Sequence, residues 1–269
     1  MAADTAPAPR RLPRATASIP LWRRLRRLIP FIVFIGLWQL FSSDSSTALL
    51  PSPVDIVQRL WDDVRSGDLA EAAKPTAIRG FAGLGIAVVC GIALGLAMGR
   101  IRPVRAAFEP LLAVTFPIPR LALYPVMVLV FGLGATTEII LVALECTYPL
   151  AYNTLAGVEG IQRDMLRSAR NAGASGLRVT TGVLFRGALP SILAGMRIAV
   201  PVMLIVVVIV EMLSGSVGLG YLIRNAQTQF EPDAALAVVL ALAIVGYLLD
   251  RLIVLLTRTL VFWERDNRL

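Results

Sequence analysis

Apolar residues run in six long stretches, at 28–41, 80–99, 111–131, 138–158, 192–213 and 234–256, with polar segments between them. A bilayer crossing takes about 20 apolar residues, so the pattern predicts an all-α, polytopic membrane protein with six transmembrane helices. The first stretch is short by itself. Trp22 and Leu25 extend it, and Arg23, Arg24, Arg26 and Arg27 anchor its end. The third is broken by Pro117, Pro119 and Pro125, which remove backbone donors from its middle. Between the first and second, Pro51-Ser-Pro53 makes a rigid turn, after which Val54, Val57, Leu60, Trp61 and Val64 recur at helical spacing. That predicts an amphipathic helix, lying along the membrane surface with Trp61 at headgroup level or packed as a cap on the bundle. The one long polar interruption is 159–191, between the fourth and fifth stretches.

Composition supports the membrane reading. The chain is 57% hydrophobic and 16% charged, where soluble domains are nearer half and a quarter. A net charge of +8 is compatible with nucleic-acid binding, but the basic residues gather at the ends of apolar stretches. Placing the N-terminal tail, 100–109, 158–191 and the C-terminal tail on one side gives 18 Lys and Arg there, against 5 on the other. By the positive-inside rule both termini and the 158–191 loop face the cytoplasm. Residues 1–27, rich in Ala, Pro and Arg without apolar period, read as a disordered cytoplasmic tail, and 28–269 as one transmembrane domain. No small-residue cleavage pattern marks a signal peptide. There is no histidine, which removes imidazole bases and most zinc sites. Cys90 and Cys146 lie within apolar stretches and read as packing residues.

Some positions carry more than packing. Gly83, Ala87, Gly91, Gly95 and Gly99 form a small-residue stripe at four-residue spacing, the device by which membrane helices approach closely. In the broken stretch, Arg120 follows Pro119 at a depth where a charge is costly unless paired or hydrated. Either this segment lines a pathway and Arg120 meets an anion or a carboxylate, or Arg120 sits at a bend and snorkels. Glu145 and Glu211 are carboxylates well inside predicted spans, hence site candidates; a buried structural acid is the alternative for Glu211. With Pro117, Pro119, Tyr148 and Arg197 they complete the candidate pathway set.

The 159–191 loop holds Arg163, Arg167, Arg170, Arg178 and Arg186. Ala169 and Gly173, four apart, are expected to share a helix face bare of bulk on which another protein closes directly. Gly173 and Gly176 allow a turn, and Leu189-Pro190 is expected to end the excursion before the fifth span. The order Gly157-Val158, Ser168-Ala169-Arg170, Gly173-Ala174-Ser175, Leu189-Pro190 and Gly195-Met-Arg197 resembles the EAA region of type I ATP-binding-cassette (ABC) import permeases, in their nitrate, sulfonate and taurine branch. Leu50-Pro-Ser-Pro53, Pro117-Ile-Pro119, Phe131-Gly132, Glu211-Met212 and Gly218-Leu-Gly-Tyr-Leu222 extend the likeness over about residues 49–260.

The resemblance implies a bacterial inner-membrane permease subunit rather than an enzyme, without cofactor or metal of its own. ATP and magnesium are expected on a partner ATPase, docked through Arg167, Ser168, Ala169, Arg170, Gly173, Ala174, Ser175, Leu189 and Pro190. Also implied are a second permease copy, two ATPase subunits and an extracytoplasmic binding protein delivering a small anion of the sulfonate, taurine or nitrate type. An aromatic acid or a pyrimidine-like solute is the alternative. Where the family usually opens the motif with an acid, this chain has Arg167. A salt bridge from that position is therefore not carried over, while the coupling role is. The absence of a Gly-rich phosphate loop ending in Lys-Ser/Thr agrees with ATP binding elsewhere. The rival from another class is a proton-driven carrier using Glu145 and Glu211. No nucleophile–base or metal constellation suggests an embedded enzyme.

Overall fold

A computed structural model describes residue 26 and residues 29–44, 50–115, 118–215 and 217–264. The expected tail at 1–27, apart from Arg26, and Pro117 lie outside the described residues. Among those described, the regular structure is helical throughout. Helix α1, Ile29–Asp44, belongs to one unit, Met1–Thr47, and everything from Ala48 onward to a second.

The second unit opens with α2, Pro53–Ser66, matching the amphipathic helix read from the sequence. Its start is fixed by a capping box. The Asp55 backbone N–H donates to Ser52 Oγ at 3.2 Å, and the Asp55 carboxylate accepts from the Ser52 N–H at 3.1 Å. Gly67, at φ +88°, ends it. The face that packs carries Ile56, which is buried, and Arg59, which reaches Glu231 and Asp233 at 3.5 and 3.6 Å. Burial works against the charge of Arg59, but the Asp63 hydrogen bond and the carboxylates of Asp63, Asp233 and Glu231 outweigh it and raise its pKa. Val54, Val57, Trp61 and Val64 stay about half exposed. The helix is thus a packed cap whose predicted apolar stripe remains open.

Helix α3, Asp68–Arg100, has 33 residues and is about 50 Å long. The predicted start at Gly80 is therefore twelve residues late, because the helix continues past the apolar stretch through Lys74 and Pro75. Then come α4 (Arg102–Thr115), a 3₁₀ turn at Arg120–Leu123, α5 (Tyr124–Phe131) and α6 (Ala135–Glu159). Helices α3 and α6 lie side by side in a single register. A Cβ added at Gly83, Gly91, Gly95 or Gly99 would fall 2.5–2.7 Å from atoms of Val142, Leu150, Thr154 and Val158 respectively. Each partner lies 59 positions further along the chain, so the two helices run parallel and the stripe is their shared seam.

Parallel neighbours need a return crossing between them. Only 101–134 is available, so α4, the break and α5, which meet at 88°, together make one crossing. With α3, α6, α8 (Gly176–Ser214) and α10 (Pro232–Leu260), each long and apolar enough to cross a membrane, the second unit accounts for five. Helix α1, at 16 described residues, falls short of the usual span length, so six crossings are not all accounted for.

Helix α7, Arg163–Asn171, joins α6 to α8, and α9, Leu219–Thr228, joins α8 to α10 at the opposite end. The fifth span does not begin at Ile192. Helix α8 starts at Gly176 and passes through a π-helical stretch, Thr180–Phe185, and through Pro190. Leu189-Pro190 therefore does not end the excursion. An interior proline costs about 3 kcal/mol. Against that, Leu184 and Ile192 are buried with Val158 and Val179, and each large aliphatic chain buried contributes about 1.5–3 kcal/mol. Packing wins.

Candidate functional site

The connection between α6 and α8 is built on a small core of Val158, Val179, Leu184, Ala188 and Ile192, onto which Leu166 of α7 and Ala174 pack. Helix α7 ends in a Schellman motif. Ala174 N–H donates to Ala169 C=O at 3.0 Å and Gly173 N–H to Arg170 C=O at 2.9 Å, with Gly173 at φ +81°. Gly173 is thus the left-handed terminator and does not share a helical face with Ala169, which is half-buried on the side of Leu166. The expected bare Ala169/Gly173 face is corrected accordingly. Gly176, at φ +52°, completes the turn into α8.

Arg167, Ser168, Arg170, Gly173 and Ser175 are exposed, whereas Ala174, Leu189 and Pro190 are half-buried. Arg167 pairs with Asp164 one turn back at 3.3 Å. The largest apolar exposure here is at two residues that sequence reading passed over, Met165 at 58% and Leu177 at 75%. A lone methionine or leucine in a polar loop gives little signal until the helix phase is known. Two braces hold this end together: Arg105 of α4 pairs with Glu109 and with Glu159 at the end of α6, and Arg100 of α3 donates to Thr180.

A second cluster sits at the break. Pro119 caps the 3₁₀ turn that carries Arg120, and Ala122 N–H donates to Pro119 C=O at 2.8 Å. Arg120 donates from Nε and Nη2 to Glu145 Oε2 at 3.1 and 2.9 Å. Glu145 lies ten residues into the 25-residue α6, about 15 Å from its start and near mid-depth. The guanidinium sits 5.4 Å from the Tyr148 ring, which stacks on Tyr152 at 5.8 Å. The pair is largely enclosed, at 18% and 14% side-chain exposure. Of the candidate pathway set, the fold brings Arg120, Glu145 and Tyr148 together. Arg197 lies elsewhere, forked onto Asp250 of α10 at 2.5 and 3.3 Å.

Glu211 belongs to a third cluster, at the far end from α7, and is fully enclosed. Its carboxylate accepts from Thr76 Oγ1 at 2.9 Å, from Gly220 N–H at 3.0 Å and from Arg79 Nη1 at 3.5 Å. Arg79 also donates to Glu138 at 2.7 Å and to the Val217 carbonyl at 3.2 Å. Four helices (α3, α6, α8 and α9) meet there. Gly218, at φ +123°, leaves no room for a side chain, since a Cβ would fall 2.2 Å from Glu211 Cδ. Arg79 and Glu138 were missed because each sits at the edge of an apolar stretch. They are nevertheless 59 apart, the register of the glycine seam.

A cavity of about 530 Å³ opens beside this cluster, between α2, the start of α3, α9 and the start of α10, with Asp63, Asp68, Glu71, Tyr221 and Glu231 among its walls. Among the described residues, no group of three or more Cys, Asp or Glu is arranged to hold a metal ion.

The fold and site are those of a polytopic membrane protein with an exposed, braced helix at one end of its bundle. The chain belongs to the family described as binding-protein-dependent transport system inner membrane component, whose match spans residues 87–261, from α3 through α10. It is 33% identical to the putative aliphatic sulfonates transport permease protein SsuC of Escherichia coli over 92% of this chain and 96% of that one. It is also 33% identical to the taurine transport system permease protein TauC of the same organism, over 82% of each. The nitrate import permease protein NrtB of Leptolyngbya laminosa is 28% identical over 91% of each. Among solved structures, an amino acid ABC transporter aligns with TM-score 0.56 at 19% identity, covering 77% of this chain and 98% of that one. The MetNI methionine ABC transporter aligns with TM-score 0.57 at 18% identity, over 76% and 95%. These two share the fold. The chain is an ABC importer permease, a transport component of the inner membrane and not an enzyme.

Proposed function

We propose that two copies of this chain form the path for a small anion of the sulfonate, taurine or nitrate class, each docking one cytoplasmic ATPase subunit through α7. The loop that carries α7 faces the cytoplasm, on the 18-to-5 bias of basic residues. A binding protein delivers the solute at the opposite face, and ATP with magnesium is bound by the ATPase alone. The observation that carries the coupling role is the exposure of Met165 on α7 and of Leu177 at the start of α8, on either side of a turn tied down by Leu166, Ala174 and the Schellman hydrogen bonds. Such exposure beside arginines suits a partner groove with acidic rims.

The anion preference rests on Arg120, a guanidinium at mid-depth in the broken crossing, together with the relatives' named solutes. The tyrosine stack beside it favours an aromatic carboxylate as the second reading. The coupling role is tested by Met165→Glu and Leu177→Asp in the complex reconstituted with its ATPase and binding protein. ATP hydrolysis stimulated by the binding protein is expected to fall at least tenfold, with the melting temperature unchanged. Full stimulation in both variants refutes docking at α7. Uptake that ignores ATP depletion and collapses with the proton gradient instead supports a secondary carrier.

A further inference from the structure

We propose that Glu145 is a built-in competitor for the transported anion: it holds Arg120 between turnovers and repels the anion that replaces it. The inference rests on the anion reading above. A guanidinium enclosed at mid-depth is costly unless paired, so an empty path lined by a bare arginine is unfavourable. Glu145 meets that requirement from within the chain, and it does so with one oxygen, Oε2 receiving both donors. A sulfonate, nitrate or carboxylate offers the same acceptor geometry to the same fork.

Exchange then has a built-in asymmetry. While Glu145 is in place the pair is neutral. Once an anion takes the guanidinium, the released carboxylate faces it as a like charge and weakens its hold. Transit needs binding favourable enough to enter and weak enough to leave, and the competitor supplies the second condition. The backbone permits the exchange. Pro149, four residues on, has no N–H to donate to the Glu145 carbonyl, so α6 is loosened at the turn that bears the carboxylate. The Tyr148 ring stays against Arg120 and keeps the guanidinium in place when its partner leaves.

The test uses the full complex of permease, ATPase and binding protein in liposomes, with methanesulfonate, taurine and nitrate as probes. Two readouts are taken: ATP-driven turnover, and labelled methanesulfonate or taurine retained by the complex after the binding protein is removed. Glu145→Gln keeps the shape and removes the charge. It is expected to raise retention on the order of tenfold, the effect of removing one close like charge, and to slow turnover. Glu145→Asp keeps the charge and withdraws it by one methylene, so it stays foldable and shifts both readouts the same way by less. A role as a mere staple lowers turnover without raising retention, and that result overturns the inference, as does wild-type behaviour in both variants. If the wild-type complex takes up none of the three probes, the anion reading itself fails, and the inference with it.

Discussion

At the residue scale, the chain holds its enclosed intramembrane glutamates in different ways. Glu211 and Glu138 share Arg79 where four helices meet, while Glu145 has Arg120 to itself. The arithmetic of charge decides which change is worst. Arg79→Gln leaves two enclosed carboxylates without their cation, whereas Glu138→Gln leaves one intact ion pair. Breaking a buried pair by removing one partner costs about 3–5 kcal/mol. Arg79→Gln is therefore expected to destabilise by at least that range and Glu138→Gln by clearly less, as read from equilibrium unfolding of the purified protein in detergent micelles. An equal loss in the two variants contradicts the shared-cation reading. Glu145 and Glu211 look alike in the sequence, both carboxylates in apolar stretches. What separates them is the partner: Arg120 lies 25 positions from Glu145, and Arg79 lies 132 positions from Glu211. Only helix register decides such pairings, and no single stretch encodes it.

At the element scale, the seam between α3 and α6 was half legible. The glycine stripe announced a close neighbour; that the neighbour is parallel, with one constant offset, required the fold. The consequence is a sharp contrast within one helix. Gly95 faces Thr154, where an added Cβ would approach to 2.5 Å, while Gly85 faces open space with nothing within 4 Å. Gly95→Val is expected to force the helices apart and cost about 1–3 kcal/mol. Gly85→Ala is expected to stabilise by about 0.5–1 kcal/mol, the helical advantage of alanine over glycine. Thermal unfolding of the two variants in one detergent checks both signs together. The start of α8 was not legible, because proline and polar residues locally favour a boundary at 190. The burial that overrides them comes from Val158, Val179 and Leu184, outside that window. The same holds for Gly173: its spacing to Ala169 fits a helix, and only the Schellman hydrogen bonds reveal it as the terminator.

At the scale of the whole molecule, α6 links three charged clusters. Glu138 joins the far cluster near its start, Glu145 the mid-depth pair, and Glu159 at its end the brace from Arg105 next to α7. A displacement of α7 enters α6 at Glu159 and must pass Pro149 to reach Glu145. A continuous hydrogen-bond ladder transmits such a motion as a rigid body. One interrupted at Pro149 lets the loop-side half bend relative to the half clamped by Arg79. The bend falls on the turn that carries Glu145, so loop movement becomes movement of the carboxylate against Arg120. Pro149→Ala restores the missing donor. It is expected to stabilise the protein by about 1–3 kcal/mol, from the worth of one added hydrogen bond to the full cost of an interior proline, and to slow uptake several-fold. Stimulated ATP hydrolysis is expected to persist, because α7, the proposed docking helix, and its braces are untouched. Parallel assays of hydrolysis and uptake on the same vesicles decide the matter. If both activities keep their ratio, α6 transmits without a hinge, and the pair at mid-depth is moved by another helix.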